Sequence, residues 1–437
     1  MTTKETAEVW GISKRRVSYL CEQNRVEGAT KLGNSWVIPK TAIKPIDNRI
    51  KSGNYIKIKE DNTEYLLKHF DDILLEFTLK KDFDGLSAKI VSINDEQKHL
   101  LPLDLDVSDD GILAWLKRRT IPTNRAYVEN FLAKIGINEK DTKGIIDLCK
   151  GLSLNDCFWT PAKNLSGDFK QYNLYENRFS NTLALIAFTG YGTRNKSDFT
   201  SSPEFTTNGM LAKCWRRIRG DIVLYKSGTE GAVNTGKEPY SEYLSCQIAK
   251  AMELDYVDYG LSMWKGKLCS TCKLFNSIDI SFIPIGNLVK SGGIRAVMEF
   301  YKSLGQEQYN KLIDMLVFDS IICNTDRHFG NFGVLVDNYT NKIIDIAPIF
   351  DNGLSLFCYA LEDDMSNLQN YAKTRAPATY PDFIEFSKSV ITKRQKDKLR
   401  HLLKFKFKKH THYNMSDERV AELEKFVRNR ASELLSQ

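Results

Sequence analysis

From residue 312 to residue 353 the chain reads as an apolar helix, a loop rich in Asp and Asn, and an apolar strand ending in a carboxylate. Leu312, Met315, Leu316 and Ile321 recur near helical spacing. Asp326-Arg327-His328 follows, with Asn331 five residues after the Asp. Twenty residues beyond Asn331, Ile346-Ala-Pro-Ile-Phe closes on Asp351-Asn352-Gly353. Asp-x4-Asn is a common chance pattern, and a strand-ending Asp-Asn-Gly is a common turn. Both together, in this order and a hairpin apart, make a far narrower signature.

Phosphoryl transfer needs such a pairing. One Asp orients the attacking hydroxyl and accepts its proton, while an Asn and a second Asp hold Mg²⁺ against the phosphates. Mg²⁺ prefers oxygen ligands and takes few from protein, so one amide and one carboxylate suffice. The other parts of such a site can be sought upstream. Gly220-Asp-Ile-Val-Leu-Tyr-Lys226 is a short β-rich run ending in a lysine that would touch phosphates. The helix from Glu238 carries Glu242 in its first turns, the acid expected to pair with Lys226; Glu238, before a proline, belongs to the helix start. Thr206-Thr207-Asn208-Gly209-Met-Leu-Ala-Lys213 reads as a phosphate-covering turn with a single glycine.

The order Gly209…Lys213, Lys226, Glu242, Asn324-Thr-Asp326-Arg-His-x-Gly-Asn331 and Ala347-Pro-x-Phe-Asp351 resembles the HipA-like serine/threonine kinases, the toxin half of a bacterial toxin–antitoxin pair. The Asp-Arg-His-x-x-Asn core is also similar to that of phosphoinositide kinases, so it marks the superfamily and not a substrate. The resemblance covers residues 200–360 by motif and 165–437 by fold. It implies Asp326 as catalytic base, Asn331 and Asp351 as Mg²⁺ ligands, and Lys226 with Glu242, Gly209 and Lys213 around ATP. It further implies autophosphorylation in the loop, with Thr206 in the corresponding place and Thr207 beside it. The family's loop usually carries a Gln before its Lys; here Leu211-Ala212 precede Lys213.

The N-terminus has a different character. Thr2 and Glu5 fit a capping box, and Ala7 and Trp10 give a short helix its apolar face. Gly11 suits a sharp exit, and Lys14 to Gln23 forms a second helix opening with Lys14, Arg15 and Arg16. Ala29 to Pro39 reads as a hairpin turning at Gly33-Asn34. Together these resemble the winged helix-turn-helix of MerR and excisionase proteins. That resemblance implies DNA contacts from Lys14, Arg15, Arg16, Lys31 and Asn34.

Charge divides the chain in the same way. The net +7 resolves into +5 over residues 1–51, +8 over 392–410, and −6 over the remainder. The basic 392–410 segment, with Leu399, Leu402, Leu403, Phe405 and Phe407 as its apolar side, is a solvated face or a second nucleic-acid contact. A content of 42% hydrophobic and 27% charged residues excludes whole-chain disorder. The uncharged stretch Phe179 to Thr193, interrupted by Asn, Thr and Gly, is too short and polar to span a bilayer. Nine scattered cysteines do not read as a disulfide framework, and the first residues lack an apolar signal core, so a cytoplasmic location is expected. Cys269 and Cys272 have metal-ligand spacing but no second Cys/His pair nearby. His328 would brace its loop through a ring hydrogen bond.

The expectation is therefore an α+β, bilobal protein-kinase-like fold preceded by a small winged helix-turn-helix. Its domains would be 1–52 (DNA-binding), 53–164 (a structural or recognition subdomain, with a small sheet over Ile73 to Leu105), 165–275 (kinase N-lobe) and 276–437 (mainly helical C-lobe). ATP and Mg²⁺ are the expected cofactors; a protein Ser/Thr hydroxyl, DNA and an antitoxin are the expected partners, and no membrane. Two other readings stand beside it: a DNA-binding regulator with a nucleotide-sensing or inactive body, and a small-molecule or lipid kinase.

Overall fold

The computed structural model describes residues 1–10, 13–22, 26, 28–33, 35–42, 61–82, 85–138, 141–192 and 202–436. The chain divides into two compact units, Met1–Lys59 and Glu60–Gln437. In the first, helices α1 (Thr3–Trp10) and α2 (Lys14–Glu22) are followed by a hairpin, β1 (Thr30–Leu32) and β2 (Ser35–Val37). Thr2 and Glu5 cap α1 reciprocally: the Thr2 amide donates to Glu5 Oε2 (2.8 Å) and the Glu5 amide to Thr2 Oγ1 (3.3 Å). Ala7, Trp10, Val17, Leu20, Cys21, Val26 and Ile38 form its small core. Gly11, Asn34, the side chain of Arg16 and residues 43–60 lie outside the described residues.

The second unit opens with strands β3 (Asp61–His69), β4 (Asp72–Asp82) and β5 (Gly85–Ile93), then helices α3 (Asp109–Arg118), α4 (Val128–Ile135) and α5 (Thr142–Cys149) and the short strand β6 (Phe158–Trp159). The strands form an antiparallel sheet in the order β5-β4-β3-β6. It begins before Ile73, at Asp61, and ends at Ile93; Asn94 to Leu105 is loop and a single 3₁₀ turn. Tyr65, Phe77, Ile112, Trp115 and Phe131 pack between sheet and helices, and the same core takes in Leu183, Ile186 and Phe205. The segment Leu152 to Trp159 packs against Trp215, Ile222 and Leu274.

Next come α6 (Phe169–Tyr172), α7 (Asn181–Thr189), β7 (Lys213–Ile218), β8 (Asp221–Ser227), α8 (Glu238–Ala251), β9 (Tyr259–Trp264) and β10 (Lys267–Lys273). The four strands form a second antiparallel sheet, β7-β8-β10-β9, with α8 against it. Strand β10 carries both Cys269 and Cys272 and ends at Lys273. Cys269 and Cys272 are an odd number of residues apart on it, so they enter different apolar clusters on its two faces. Among the described residues no group of three or more His, Cys, Asp or Glu could hold a metal ion.

The remainder is mainly helical: β11 (Ile280–Pro284), α9 (Ile285–Leu288), α10 (Gly293–Leu304), α11 (Gln306–Ile322), β12 (Gly333–Asp337), β13 (Lys342–Ile346), α12 (Glu362–Met365), α13 (Leu368–Ala372), α14 (Phe383–Val390), α15 (Lys393–Arg400) and α16 (Asp417–Leu435). Every residue of α11 from Leu312 to Ile322 is buried. Leu316, Phe318, Ile321, Phe426 and Leu434 sit in the largest core, each burial worth about 1.5–3 kcal/mol. Gly333, which opens β12, lies so close to β11 that an added Cβ would stand 2.0 Å from the Ile283 carbonyl oxygen. Only glycine allows the loop from Asn331 to re-enter the sheet there. In the basic tail, Leu399, Leu402 and Phe405 are buried, whereas Leu403 is exposed. No helix among the described residues is long and apolar enough to cross a membrane.

Candidate active site

Lys226 stands near the end of β8, opposite Lys213 on one side and Ser270 on the other. Glu242 projects from α8 and is fully buried. The Lys226 amine donates to Glu242 Oε1 (2.9 Å) and to Asp351 Oδ1 (2.5 Å). Glu242 uses its other oxygen to accept the Asn352 amide (2.7 Å), so one carboxylate fixes both the strand lysine and the chain after Asp351. Asp351 itself has a left-handed backbone, φ 55°, which costs a non-glycine residue roughly 1–3 kcal/mol. Its amide donates to the Tyr259 hydroxyl (3.1 Å), and that bond helps to hold it.

The loop after α11 is organised by Arg327, a residue outside the expected site list. The helix ends at Cys323 in the left-handed region, and the Asn324 amide turns back to the Asp319 carbonyl (2.9 Å). Arg327 and Asp319 are both fully buried and paired through two bonds, Nε to Oδ2 (2.9 Å) and Nη2 to Oδ1 (3.0 Å). The guanidinium also donates to the carbonyls of Asn331 (3.0 Å) and Phe350 (2.5 Å) and to Asn352 Oδ1 (2.6 Å). It therefore ties the Asp326 loop to the Asp351 segment. The sequence did carry one signal for this brace: Asp319 is, with Asp314, one of two carboxylates inside a largely apolar helical run.

Within the loop, Asn324 Oδ1 accepts the Asp326 amide (3.1 Å), and the Asn331 side-chain amide donates to the Asp326 carbonyl (3.0 Å). That bond uses the nitrogen of Asn331 and leaves its oxygen as the acceptor. His328 is exposed, and its Nδ1 accepts the Gly330 amide (3.0 Å), a local turn bond.

Electrostatics separate the charged groups. Burial alone would push the Lys226 amine towards neutrality, but Asp351 and Glu242 reverse this and hold it above the usual lysine range. Burial likewise favours the neutral acid at Asp351, and Lys226 and Lys213 overcome it, holding the carboxyl well below the usual range. The Asp326 carboxyl moves up, chiefly through burial and with a further push from Asp351, against the pull of His328 and Lys226. A carboxylate raised in this way is a better proton acceptor. The Asn331 oxygen and the Asp351 carboxylate, whose Oδ1 alone carries Lys226, are a hard-oxygen donor pair suited to Mg²⁺.

The loop before β7 contributes Gly209 and Lys213. Gly209 has φ 93°, and an added Cβ would meet the Lys213 amine at 2.2 Å. Lys213 is buried, donates to the Asn208 carbonyl (2.8 Å), and is pushed down to about 7 by burial and by the Lys226 charge. The Thr206 hydroxyl donates to the Leu152 carbonyl (3.1 Å) and that of Thr207 to Pro203 (2.7 Å), while Trp215 Nε1 donates to Thr207 (3.1 Å). Both candidate acceptor hydroxyls are thus held inside the fold.

No family model matches the sequence. Over 132 residues the chain is 30% identical to the serine/threonine-protein kinase CtkA of Helicobacter pylori strain J99, a match taking in 27% of this chain and 40% of that one. The chain has a protein-kinase relative. It thus spans two fifths of that relative's length. Among solved structures, the H. pylori proinflammatory kinase CtkA overlays with a TM-score of 0.41 and 18% identity, covering 51% of this chain and 91% of that one. HipA of Shewanella oneidensis MR-1, in a complex with HipB and operator DNA, overlays with a TM-score of 0.45 and 10% identity, covering 85% and 96%.

Proposed function

We propose that the chain is an ATP- and Mg²⁺-dependent serine/threonine protein kinase of the HipA-like type. The observation that carries this reading is the convergence of Lys226, Glu242 and Asp351, with Asp326 and Asn331 tied to them through Arg327. The kinase relative supports the reading independently. Lys226, held charged by Glu242, places the phosphates, with Lys213 and the Gly209 turn beside it. Asn331 and Asp351 would hold Mg²⁺, which when bound neutralises charge on the phosphates. Asp326 orients a Ser or Thr hydroxyl and accepts its proton as the oxygen attacks the γ-phosphorus. Positioning and charge neutralisation provide most of the rate. Thr206 and Thr207 are acceptors in cis only once the loop leaves its bonds to Leu152 and Pro203. Purified Asp326→Asn and Asp351→Asn should each lose transfer of labelled γ-phosphate to protein in a lysate, by about 10²–10⁴-fold for the base. Undiminished transfer in both would overturn the assignment, and label on a metabolite would redirect it to a small-molecule kinase.

The N-terminal unit is proposed to bind DNA through Lys14, Arg15 and Lys31, all exposed, with an antitoxin as a further partner. Anisotropy of labelled operator fragments should give an affinity falling with log salt at about −0.9 per phosphate contacted. The triple variant Lys14→Ala/Arg15→Ala/Lys31→Ala should flatten that slope; an unchanged slope would remove this unit as the contact.

A further inference from the structure

Arg125 lies in the turn before α4, far in sequence from every residue of the proposed site, and its side chain is fully buried. Its guanidinium reaches the loop before β7 at three places. It donates to the Glu204 carbonyl (2.9 Å) and Glu204 Oε2 (2.8 Å), to the Thr207 carbonyl (3.3 Å), and to the carbonyl of Lys213 (2.7 Å). Glu204 is also fully buried, and its second oxygen accepts the Trp215 amide (2.8 Å). The next residue, Ala126, donates its amide to the Met210 carbonyl (2.8 Å). The start, tip and end of residues 204–213 therefore hang on one short turn. That loop carries the Gly209 turn and tucks the Lys213 amine beneath it.

We propose that Arg125 is a positioning residue for nucleotide binding: it fixes the 204–213 loop over the phosphate subsite and thereby sets where Lys213 presents its amine. The assignment rests on the kinase reading for its ligand, though not for its geometry. A planar fork is required, because bonds to two carbonyls, a third carbonyl and a carboxylate diverge from one group. Lysine keeps the charge beside Glu204 but cannot span the loop.

Arg125→Lys should raise the KM for ATP about tenfold with kcat little changed, because the loop contacts nucleotide before and during transfer alike. The KM for the protein substrate should not move. Hydrogen exchange should show faster exchange at 204–215 and none at 319–331. Arg125→Ala leaves Glu204 buried without its partner, so Arg125→Met/Glu204→Leu serves as the folded control and should show the same KM shift. An unchanged KM and unchanged exchange at 204–215 in Arg125→Lys would overturn the proposal. So would equal losses in kcat and melting temperature with no KM shift. If the wild-type protein binds no fluorescent ATP analogue, the kinase reading fails, and exchange at 204–215 still decides whether Arg125 positions the loop.

Discussion

Two fully buried arginine–carboxylate pairs hold the two sides of the candidate site, and they are built differently. Arg327 and Asp319 are eight residues apart on one helix and the loop it feeds. Arg125 and Glu204 are 79 residues apart and join the turn before α4 to the loop before β7. The first pair places its remaining donors on Asn331, Phe350 and Asn352, beside Asp326 and Asp351. The second spends them on loop carbonyls, and its Nε is left without a bond among the described residues. A local brace beside Asp326 and Asp351 and a remote brace on the loop before β7 should therefore fail in different ways.

The largest effect should come from breaking the local brace. Asp319→Ala leaves the Arg327 charge buried and unpaired, which should cost about 3–5 kcal/mol in urea unfolding. Arg327→Met/Asp319→Leu removes both charges and should recover most of that stability. It should not recover transfer, because the tie between the Asp326 loop and Phe350-Asn352 is gone; kcat should fall while the KM for ATP holds. If the double variant transfers phosphate like the wild type, the brace is structural alone. Set beside Arg125→Lys, the two kinetic signatures should be complementary, one in kcat and one in KM.

The same contrast explains what could be read from the sequence. The residues of the candidate site could be picked out because the proposed phosphoryl transfer would fix their types, and the chain supplies them in order: Lys226, Glu242, Asp326, Asn331, Asp351. The apolar run around Asp319 made that carboxylate conspicuous, although nothing named Arg327 as its partner until the loop was folded. Arg125 had no signal at all. An arginine in a polar turn is indistinguishable from a solvated one until a distant loop closes over it. The sheet start at Asp61 was missed for a related reason. Strand β3 mixes Glu64 and Lys68 with Tyr65 and Leu67, and its alternation gains meaning only with β4 beside it. In the tail, the internal contacts of two cations had no sequence signal: Arg394 binds Glu307 and Asp314, and Lys398 donates to the Glu253 carbonyl (2.8 Å).

The smallest effect concerns the two lysines that face each other across β7 and β8. Lys226 has two carboxylates within 2.9 Å and stays charged, whereas Lys213 has one carbonyl and is pushed down to about 7. Below pH 7 the Lys213 amine is already protonated in the free protein, so nucleotide binds to a charged loop. Above pH 7 it is increasingly neutral, and a phosphate arriving beside it must draw in a proton. Affinity for ATP should therefore weaken as pH rises past 7, by at most about tenfold per unit, until the pKa of the bound state is reached. Lys213→Met should bind more weakly at pH 6 and lose this dependence, leaving the two proteins alike near pH 9. Arg125→Lys should blunt the same slope, because an amine on a loosened loop is hydrated and titrates as an ordinary lysine. Calorimetry in buffers of different ionisation heat reads the proton uptake directly. Uptake that persists in Lys213→Met would assign the proton to another group and dissolve the contrast between the two lysines.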